Sequence, residues 1–167
     1  MDEPKRRFAT HFPVGSVPRD YVDPESGLRY LIVRGPYSWC GYVGVKADHA
    51  LAGLEEFEFP CHFGVTFSGW GSADGPRPEG WYWWGWDYAH FTDRIDFLGS
   101  LPDDVPAEIR AEMEKLDRMF QRDAIWKHTT PKNWSLDEVA EDAMDVLMEL
   151  KDALLLSEEF AKLVVLR

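Results

Sequence analysis

The stretch WYWWGWDY at residues 81–88 constrains the fold most strongly, because it holds four tryptophans and two tyrosines in eight residues. Side chains of a β-strand point alternately to the two faces of the sheet. Trp83 then falls on one face, and Trp84 and Trp86 fall on the other. Both faces are aromatic, so the stretch is predicted to be a central strand that is covered on both sides.

Three other segments have strand character, and turn sequences rather than helical patterns separate them. These segments are 28–33, 39–45 and 61–69. A run of strands without intervening helices favours an antiparallel sheet. Residues 1–27 are rich in proline, glycine and charge, which predicts an extended N-terminal arm.

The C-terminal half changes to helical periodicity. Apolar residues recur every three or four positions in 104–122, and again in 135–151 after a capping-box pattern of Ser135 and Glu138. Residues 157–167 fit either a short last helix or a strand. The sequence predicts an α+β fold, with an antiparallel sheet of four or five strands and two or three C-terminal amphipathic helices packed on one face. We expect a single domain over 1–167, divided into the arm 1–27, the sheet 28–93 and a helical part 104–167.

The net charge of −12 argues against a general nucleic-acid binder, because such binding depends on neutralising phosphates. Residues 101–160 hold 16 of the 30 acidic residues, which is typical of solvated helices. No apolar run reaches the ~18 residues of a membrane span, and no signal-peptide core precedes the domain. We therefore expect a soluble, cytoplasmic protein that does not bind membranes.

The chain has two cysteines, Cys40 and Cys61. Thiols in a cytosolic protein are usually reduced. Cys40 could act as a nucleophile, but a small buried apolar side chain is the favoured interpretation.

Two interpretations of the aromatic stretch stay open. It is either a two-sided core strand or the wall of a site where a planar ligand stacks, because each buried indole N–H needs a partner and exposed indoles suit a base. In the second case the stacking residues are Trp83, Trp84 or Trp86. A phosphate would then meet Arg29 or Arg34.

A histidine between two aspartates follows at once, in the spacing D-x-x-H-x-x-D formed by Asp87, His90 and Asp93. His49 and His62 could join them from the preceding loop and strand. The same residue types suit three arrangements: an Asp–His pair that fixes a loop, the polar floor of a ligand site, or a Zn, Mn or Fe centre. No H-E-x-x-H or C-x-x-C motif supports the metal, so neither a metal nor a cofactor is predicted.

The motif order in 39–93 resembles that of a family of small uncharacterised proteins from bacteriophage and prophage genomes. The shared pattern is W-C-G-Y-V, then H-x-G-x-T-[YF], then a tryptophan-rich segment ending in G-[FW]-D-x-A-H-x-x-D. The chain differs at Phe63, which replaces the first glycine of an H-G-G motif, and at Trp86, which replaces a phenylalanine. The resemblance adds Trp39 and Thr66 to the candidate residues. It implies a phage protein of the host cytoplasm, such as one that evades host defence by sequestering a signalling nucleotide.

Three functions are compatible with these features. The favoured one is non-enzymatic binding of a small planar, nucleotide-like ligand; the alternatives are an acidic interaction protein that masks a host protein and a metal-dependent hydrolase. The sequence leans against an enzyme, and it leaves a homodimer open because small binders often share a site across a two-fold axis. The candidate ligand-binding residues are Arg29, Arg34, Trp39, His49, His62, Thr66, Trp83, Trp84, Trp86, Asp87, His90 and Asp93.

Overall fold

The computed structural model describes residues 12–90, 92–95, 98, 101, 104–122 and 131–165; residues 1–11 of the predicted arm lie outside this set. Within these residues, five β-strands are followed by two α-helices, which confirms the α+β class. The strands are β1 (Arg19–Val22), β2 (Arg29–Arg34), β3 (Trp39–Lys46), β4 (Phe67–Trp70) and β5 (Trp81–Asp87). The helices are α1 (Ala107–Arg122) and α2 (Leu136–Val165).

All strand pairs are antiparallel, and the order across the sheet is β1-β2-β3-β5-β4. The aromatic strand β5 therefore lies inside the sheet, between β3 and β4. β1 lies in the segment that was predicted as an extended arm. It forms a strand because a turn, closed by a hydrogen bond from Asp23 N–H to Leu28 O (2.8 Å), returns the chain so that β1 pairs with β2. β4 begins at Phe67 and not at residue 61, since 61–66 form a loop with a turn at 62–63.

The bulky rings of the sheet centre lie flat across glycines of the neighbouring strand. A Cβ atom built on Gly44 would lie 2.4 Å from Cε3 of Trp83, and one built on Gly41 would lie 2.5 Å from Trp86. Real Cβ atoms do not approach so closely, so each ring occupies the space that a side chain would need. The cross-strand pairs are Gly41 with Trp86, Gly44 with Trp83, and Gly85 with Tyr42. The glycines of β3 thus provide room for the rings of β5.

One sheet face packs on α2, which contacts β2 and β3. The apolar cluster between this face and α2 is called the helix-side cluster, and Trp84 and Trp86 are buried in it. From α2 the cluster takes the buried residues Val139, Ala140, Ala143, Val146, Leu147 and Leu150. The apolar face of the helix predicted over 135–151 therefore packs on the sheet, as expected.

The opposite sheet face carries a smaller apolar cluster centred on Trp83. Residues 15 and 16 pair with Arg34 through backbone hydrogen bonds, and the loop between β4 and β5 approaches the cluster where Pro78 accepts the Trp83 indole N–H. The buried members are Leu31, Val33, Tyr42 and Trp83, with Val17, Cys40, Phe67 and Trp81 packed against them. β5 is thus covered on both faces.

The capping box of α2 is present. Ser135 Oγ accepts the Glu138 N–H (3.1 Å), and Glu138 accepts the Ser135 N–H (3.4 Å). The helix runs through 157–165, so the segment predicted as a separate last element is the end of α2. Among the described residues, no helix combines the length and apolar character needed to cross a bilayer.

Candidate functional site

The three candidate tryptophans of β5 are enclosed. Trp83, Trp84 and Trp86 are at most 1% exposed. Their indole N–H groups donate to Pro78 O (3.1 Å), Leu54 O (2.8 Å) and the Tyr88 hydroxyl (3.0 Å), in that order. With every N–H satisfied and no ring face exposed, these residues form core in this structure and present no stacking surface.

The two candidate arginines are both engaged. Arg29 donates to both carboxylate oxygens of Asp20 (2.8 and 2.6 Å), and its guanidinium lies 4.9 Å from the ring centre of Trp81. Arg34 is buried and donates to Gly35 O. Neither guanidinium is placed to meet a phosphate from solvent.

Three further candidates lie apart from one another. Trp39 is buried in the helix-side cluster. Thr66 is exposed, and its N–H donates to Gly85 O (2.9 Å) at the start of β4. His49 lies in the turn after β3, where its Nδ1 accepts the Leu51 N–H (3.1 Å). None of the hydrogen bonds, ion pairs or ring contacts within the described residues joins His49 to the other candidate histidines.

The structure does bring four of the predicted residues together beyond the end of β5. His62 Nε2 bonds to both carboxylate oxygens of Asp93 (2.9 and 2.7 Å). Asp93 also accepts the Trp134 indole N–H (2.9 Å) and the His90 backbone N–H (3.1 Å). The Asp93 side chain is 1% exposed, so a buried carboxylate organises the loop around it. We call His62, Phe63, Asp87, His90 and Asp93 the imidazole cluster.

Tyr88 fixes the imidazole cluster to the core. Its ring stacks on His62 with centroids 4.8 Å apart and an interplanar angle of 15°. Its hydroxyl donates to Asp142 (2.5 Å) on α2. Burial, and then the hydrogen bond to Asp142, raises the pKa of Tyr88 far above its ordinary value, so the phenol stays protonated. The His62 ring is therefore held between a core aromatic residue and a buried carboxylate.

The solvent side of the imidazole cluster is formed by Phe63 and His90. Their rings stack 4.3 Å apart at 12°, and Phe63 is 48% exposed. Phe63 has φ of 59°, in the left-handed region where bulky side chains are rare. His90 Nε2 is shielded from solvent without a hydrogen-bond partner; it lies 3.4 Å from Asp87 Oδ1, within ion-pair range but outside hydrogen-bond geometry.

Metal binding has no geometric support in the part of the chain that the structure describes. No group of three or more His, Cys, Asp or Glu side chains there is arranged to hold a metal ion. His62 and Asp93 bind each other, and His49 lies in a separate turn.

Both thiols are held in the protonated form. Burial, followed by the nearby charge of Asp87, raises the pKa of Cys40 to about 11. Burial, followed by Glu58, raises the pKa of Cys61 to about 12. The thiolate is the reactive form, so neither group is set up as a nucleophile.

We therefore expect both thiols to react slowly with a disulfide reagent near pH 8 while the protein is folded. Unfolding in guanidinium chloride returns each pKa towards ~8.5 and should speed the reaction at least about tenfold. The measurement is the rate of release of the coloured thiol in the two states. Equal rates would show that burial does not suppress these thiolates.

Sequence reasoning missed three side chains of this region. Phe63 was noted only as a departure from a glycine motif, Tyr88 only as one more aromatic residue, and Trp134 not at all. Phe63 carried one usable signal, since it stands where the resembled pattern has glycine and the chain keeps a left-handed backbone there.

Comparisons of the chain with protein-family models, with curated proteins and with solved structures find no match in any of the three. The resemblance of residues 39–93 to a bacteriophage family thus stays a prediction.

Proposed function

We propose that the protein binds a small planar, nucleobase-like ligand without chemical conversion, and that the ligand contacts the exposed part of the Phe63 ring. The observation that carries this proposal is the half-exposed Phe63 ring, held parallel to His90 by an unfavourable backbone conformation. The platform predicted on the tryptophans thus moves to a residue just before β4.

The backbone at Phe63 argues for a role other than stability. A non-glycine residue in the left-handed region costs about 1–2 kcal/mol relative to the right-handed one. A ring that stays 48% exposed recovers only part of the free energy of full burial. Strained residues of this kind cluster at ligand clamps and active sites. Glycine would take the same conformation freely, so the ring itself is the feature to explain.

A carboxylate beside the platform can read the edge of a planar ligand. The Asp87 side chain is 36% exposed, and His90 Nε2, which is shielded from solvent, lies 3.4 Å from its Oδ1. A carboxylate acceptor complements the exocyclic amine of a base. Adenine, guanine and cytosine each carry such an amine.

Binding is favoured over hydrolysis because the buried carboxylate is already engaged. Asp93 accepts hydrogen bonds from His62, Trp134 and the His90 backbone. These donors leave it little capacity to activate a water molecule. Its role is then to position His62 and His90.

The bacteriophage resemblance supplies a setting for the same proposal. In that setting the protein acts in the host cytoplasm and evades host defence by sequestering a signalling nucleotide.

A calorimetric titration with adenosine, guanosine, cytidine and uridine tests the proposal. We expect at least one nucleoside to bind and to be recovered unaltered, and Phe63→Leu to weaken it by about tenfold, since stacking on an aromatic ring contributes ~1–3 kcal/mol per base. Phe160→Leu is the matched control, because Phe160 is an exposed phenylalanine on α2. Absence of binding to the unmodified protein, or equal loss in both variants, contradicts the proposal.

A separate prediction concerns the stability of the platform. Phe63→Gly is expected to change the free energy of unfolding by less than about 1 kcal/mol, because relief of the left-handed strain offsets the lost ring contacts and the added freedom of glycine. Phe59→Gly, at a buried phenylalanine of the helix-side cluster, should cost about 3–5 kcal/mol. Urea unfolding measures both. A loss at Phe63 as large as that at Phe59 would make Phe63 a structural anchor.

A second candidate function is favoured by the outer side of α2. Exposed carboxylates recur there at four- and three-residue spacing, and these are Glu141, Asp145, Glu149 and Asp152. Like charges four residues apart destabilise a helix by ~0.2–0.5 kcal/mol per pair, so the stripe is not explained by helix stability. In this alternative the helix binds a basic protein surface, and binding weakens with salt and tolerates Phe63→Leu.

A further inference from the structure

The sheet has two edge strands, β1 and β4, and they differ in what they present to a neighbouring strand. Both are four residues long, so the difference lies in composition. β1 follows Pro18 and begins with Arg19 and Asp20, and Arg19 forms an ion pair with Asp137 of α2 (3.0 Å). Charges and prolines at an edge oppose the joining of two sheets. The residues of β4, Phe67–Trp70, include neither, so β4 is the edge that lacks this protection.

The register shows which backbone groups of β4 face the open edge. Gly71 N–H donates to Trp81 O (3.0 Å), which continues the β4–β5 register one residue beyond Trp70. Hydrogen-bonded positions alternate along an antiparallel ladder, so the N–H and C=O groups of Ser68 and Trp70 point away from β5. In the part of the chain that the structure describes, neither residue has a hydrogen bond outside the ladder. The edge thus offers two donors and two acceptors.

The open part of the edge is limited to these two residues. The preceding outward position is closed because Thr66 N–H donates to Gly85 O (2.9 Å). The following one is closed because Ser72 N–H donates to Arg77 O (3.0 Å) in the loop. A partner strand therefore meets two donors and two acceptors, which is the set that a second copy of β4 brings.

Trp70 adds an exposed aromatic ring beside the open edge. The residue is 52% exposed, and its ring lies edge-to-face with Tyr82, with centroids 5.1 Å apart at 81°. A Cβ on Gly53 would lie 3.8 Å from Cζ2 of this ring, and the next residue, Leu54, is 43% exposed. The ring is thus supported by the sheet and by the loop before β4 while half of the residue meets water. Tryptophan is enriched where proteins associate.

We propose that β4 pairs antiparallel with β4 of a second copy, about a two-fold axis through Gly69, so that the two five-stranded sheets become continuous. Ser68 of each copy lies opposite Trp70 of the other, and each such pair exchanges two backbone hydrogen bonds. All the outward groups of both strands are then satisfied. The two Trp70 rings lie on the same face at diagonal positions, within reach of each other.

The charge of the chain is compatible with a second copy at this edge alone. The net charge is −12, so two copies repel each other in general. Pairing through β4 brings no charged residue of one strand opposite the other, whereas pairing through β1 would desolvate Arg19 and Asp20. The dimer does not depend on the ligand of the proposed function.

Sedimentation velocity over about 10 µM to 1 mM protein tests the pairing, because a short interface belongs to the weak class. We expect a dimer to form within this range. Ser68→Pro removes an N–H that the β4–β5 ladder does not use, so the variant should fold and dimerise at least about tenfold more weakly. Val22→Pro is the matched control, since Val22 N–H faces outward on β1, and it should leave the dimerisation constant unchanged. A monomer at every concentration, or equal weakening in both variants, overturns the inference.

A second variant keeps the test valid if the unfolding midpoint shows that Ser68→Pro does not fold. Trp70→Thr keeps the backbone groups and a β-branched side chain but removes the ring, and it should weaken the dimer at least about threefold. Leu156→Ser, at a leucine of α2 that is 67% exposed, should have no effect. A dimer that is lost in Leu156→Ser and kept in Trp70→Thr is formed through α2, which overturns the inference.

Amide resonances of ¹⁵N-labelled protein locate the contact by residue. Raising the protein concentration should shift the backbone N–H resonances of Ser68 and Trp70 and slow their exchange with water, while that of Val22 keeps its position. Shifts confined to β1 or to α2 overturn the inference. No nucleoside is added, so failure here leaves the proposed function standing, and failure of nucleoside binding leaves the dimer standing.

Discussion

Gly44→Ala is expected to lower the free energy of unfolding by about 3 kcal/mol. The new Cβ would lie 2.4 Å from Cε3 of Trp83, a ring that is fully buried and donates its N–H to Pro78. Overpacking of a core costs ~1–3 kcal/mol, and this ring has no free direction in which to move. Chemical unfolding with near-ultraviolet circular dichroism measures the loss and reports the displaced indole.

The matched control is Gly75→Ala in the loop between β4 and β5. A Cβ there would make an ordinary contact of 3.5 Å with Ser72 Oγ, and the backbone has no left-handed φ. Its effect should stay within about 0.5 kcal/mol. In the double variant Gly44→Ala with Trp83→Val, the two losses should be less than additive because the clash disappears. A Gly44→Ala protein as stable as the Gly75→Ala protein would contradict the ring-over-glycine packing.

Asp93→Ala is expected to cost about 3 kcal/mol of unfolding free energy. The change leaves the His62 ring, the Trp134 indole N–H and the His90 backbone N–H without their acceptor. Each buried donor that loses its partner costs ~1–3 kcal/mol, and the costs are not additive. Thermal and urea unfolding give the loss, and the imidazole resonances of His62 report whether the ring has become mobile.

Asp74→Ala removes an exposed carboxylate from the loop between β4 and β5 and should change stability by less than about 0.5 kcal/mol. If Asp93→Ala matched Asp74→Ala, the carboxylate would not organise the imidazole cluster. The loss of unfolding free energy in Asp93→Asn should lie between the losses in these two variants. Asparagine keeps one acceptor oxygen but places an amide N–H₂ among donors.

Much of the fold follows from period and spacing. Alternating aromatic residues at 81–88 predict a strand covered on both faces, and the capping box of Ser135 and Glu138 predicts the start of α2. The glycines at 41 and 44 suggested either a weakened strand or a close approach by another part of the chain, and single-strand reasoning does not reveal which ring of β5 lies across them. The edge strand β1 was missed for a similar reason, because the sequence of β1 alone does not reveal that the turn at 23–28 pairs it with β2.

The candidate site was predictable where spacing alone brings groups together. Asp87, His90 and Asp93 lie close in sequence, and His62 joins them because the loop 61–66 passes beside the end of β5. His49 does not, since its imidazole closes a turn with Leu51. The tryptophans could not be assigned from sequence, because alternation gives their faces but not the glycines and the helix that enclose them.

A nuclear magnetic resonance titration with adenosine tests the central claim most directly, namely that β5 is core and that the ligand face is Phe63 with His90. The ring protons of Phe63 and His90 should shift with saturation, while the indole N–H resonances of Trp83, Trp84 and Trp86 keep their positions and their protection from exchange with water. Shifts centred on those three indoles, with Phe63 and His90 unmoved, would contradict it.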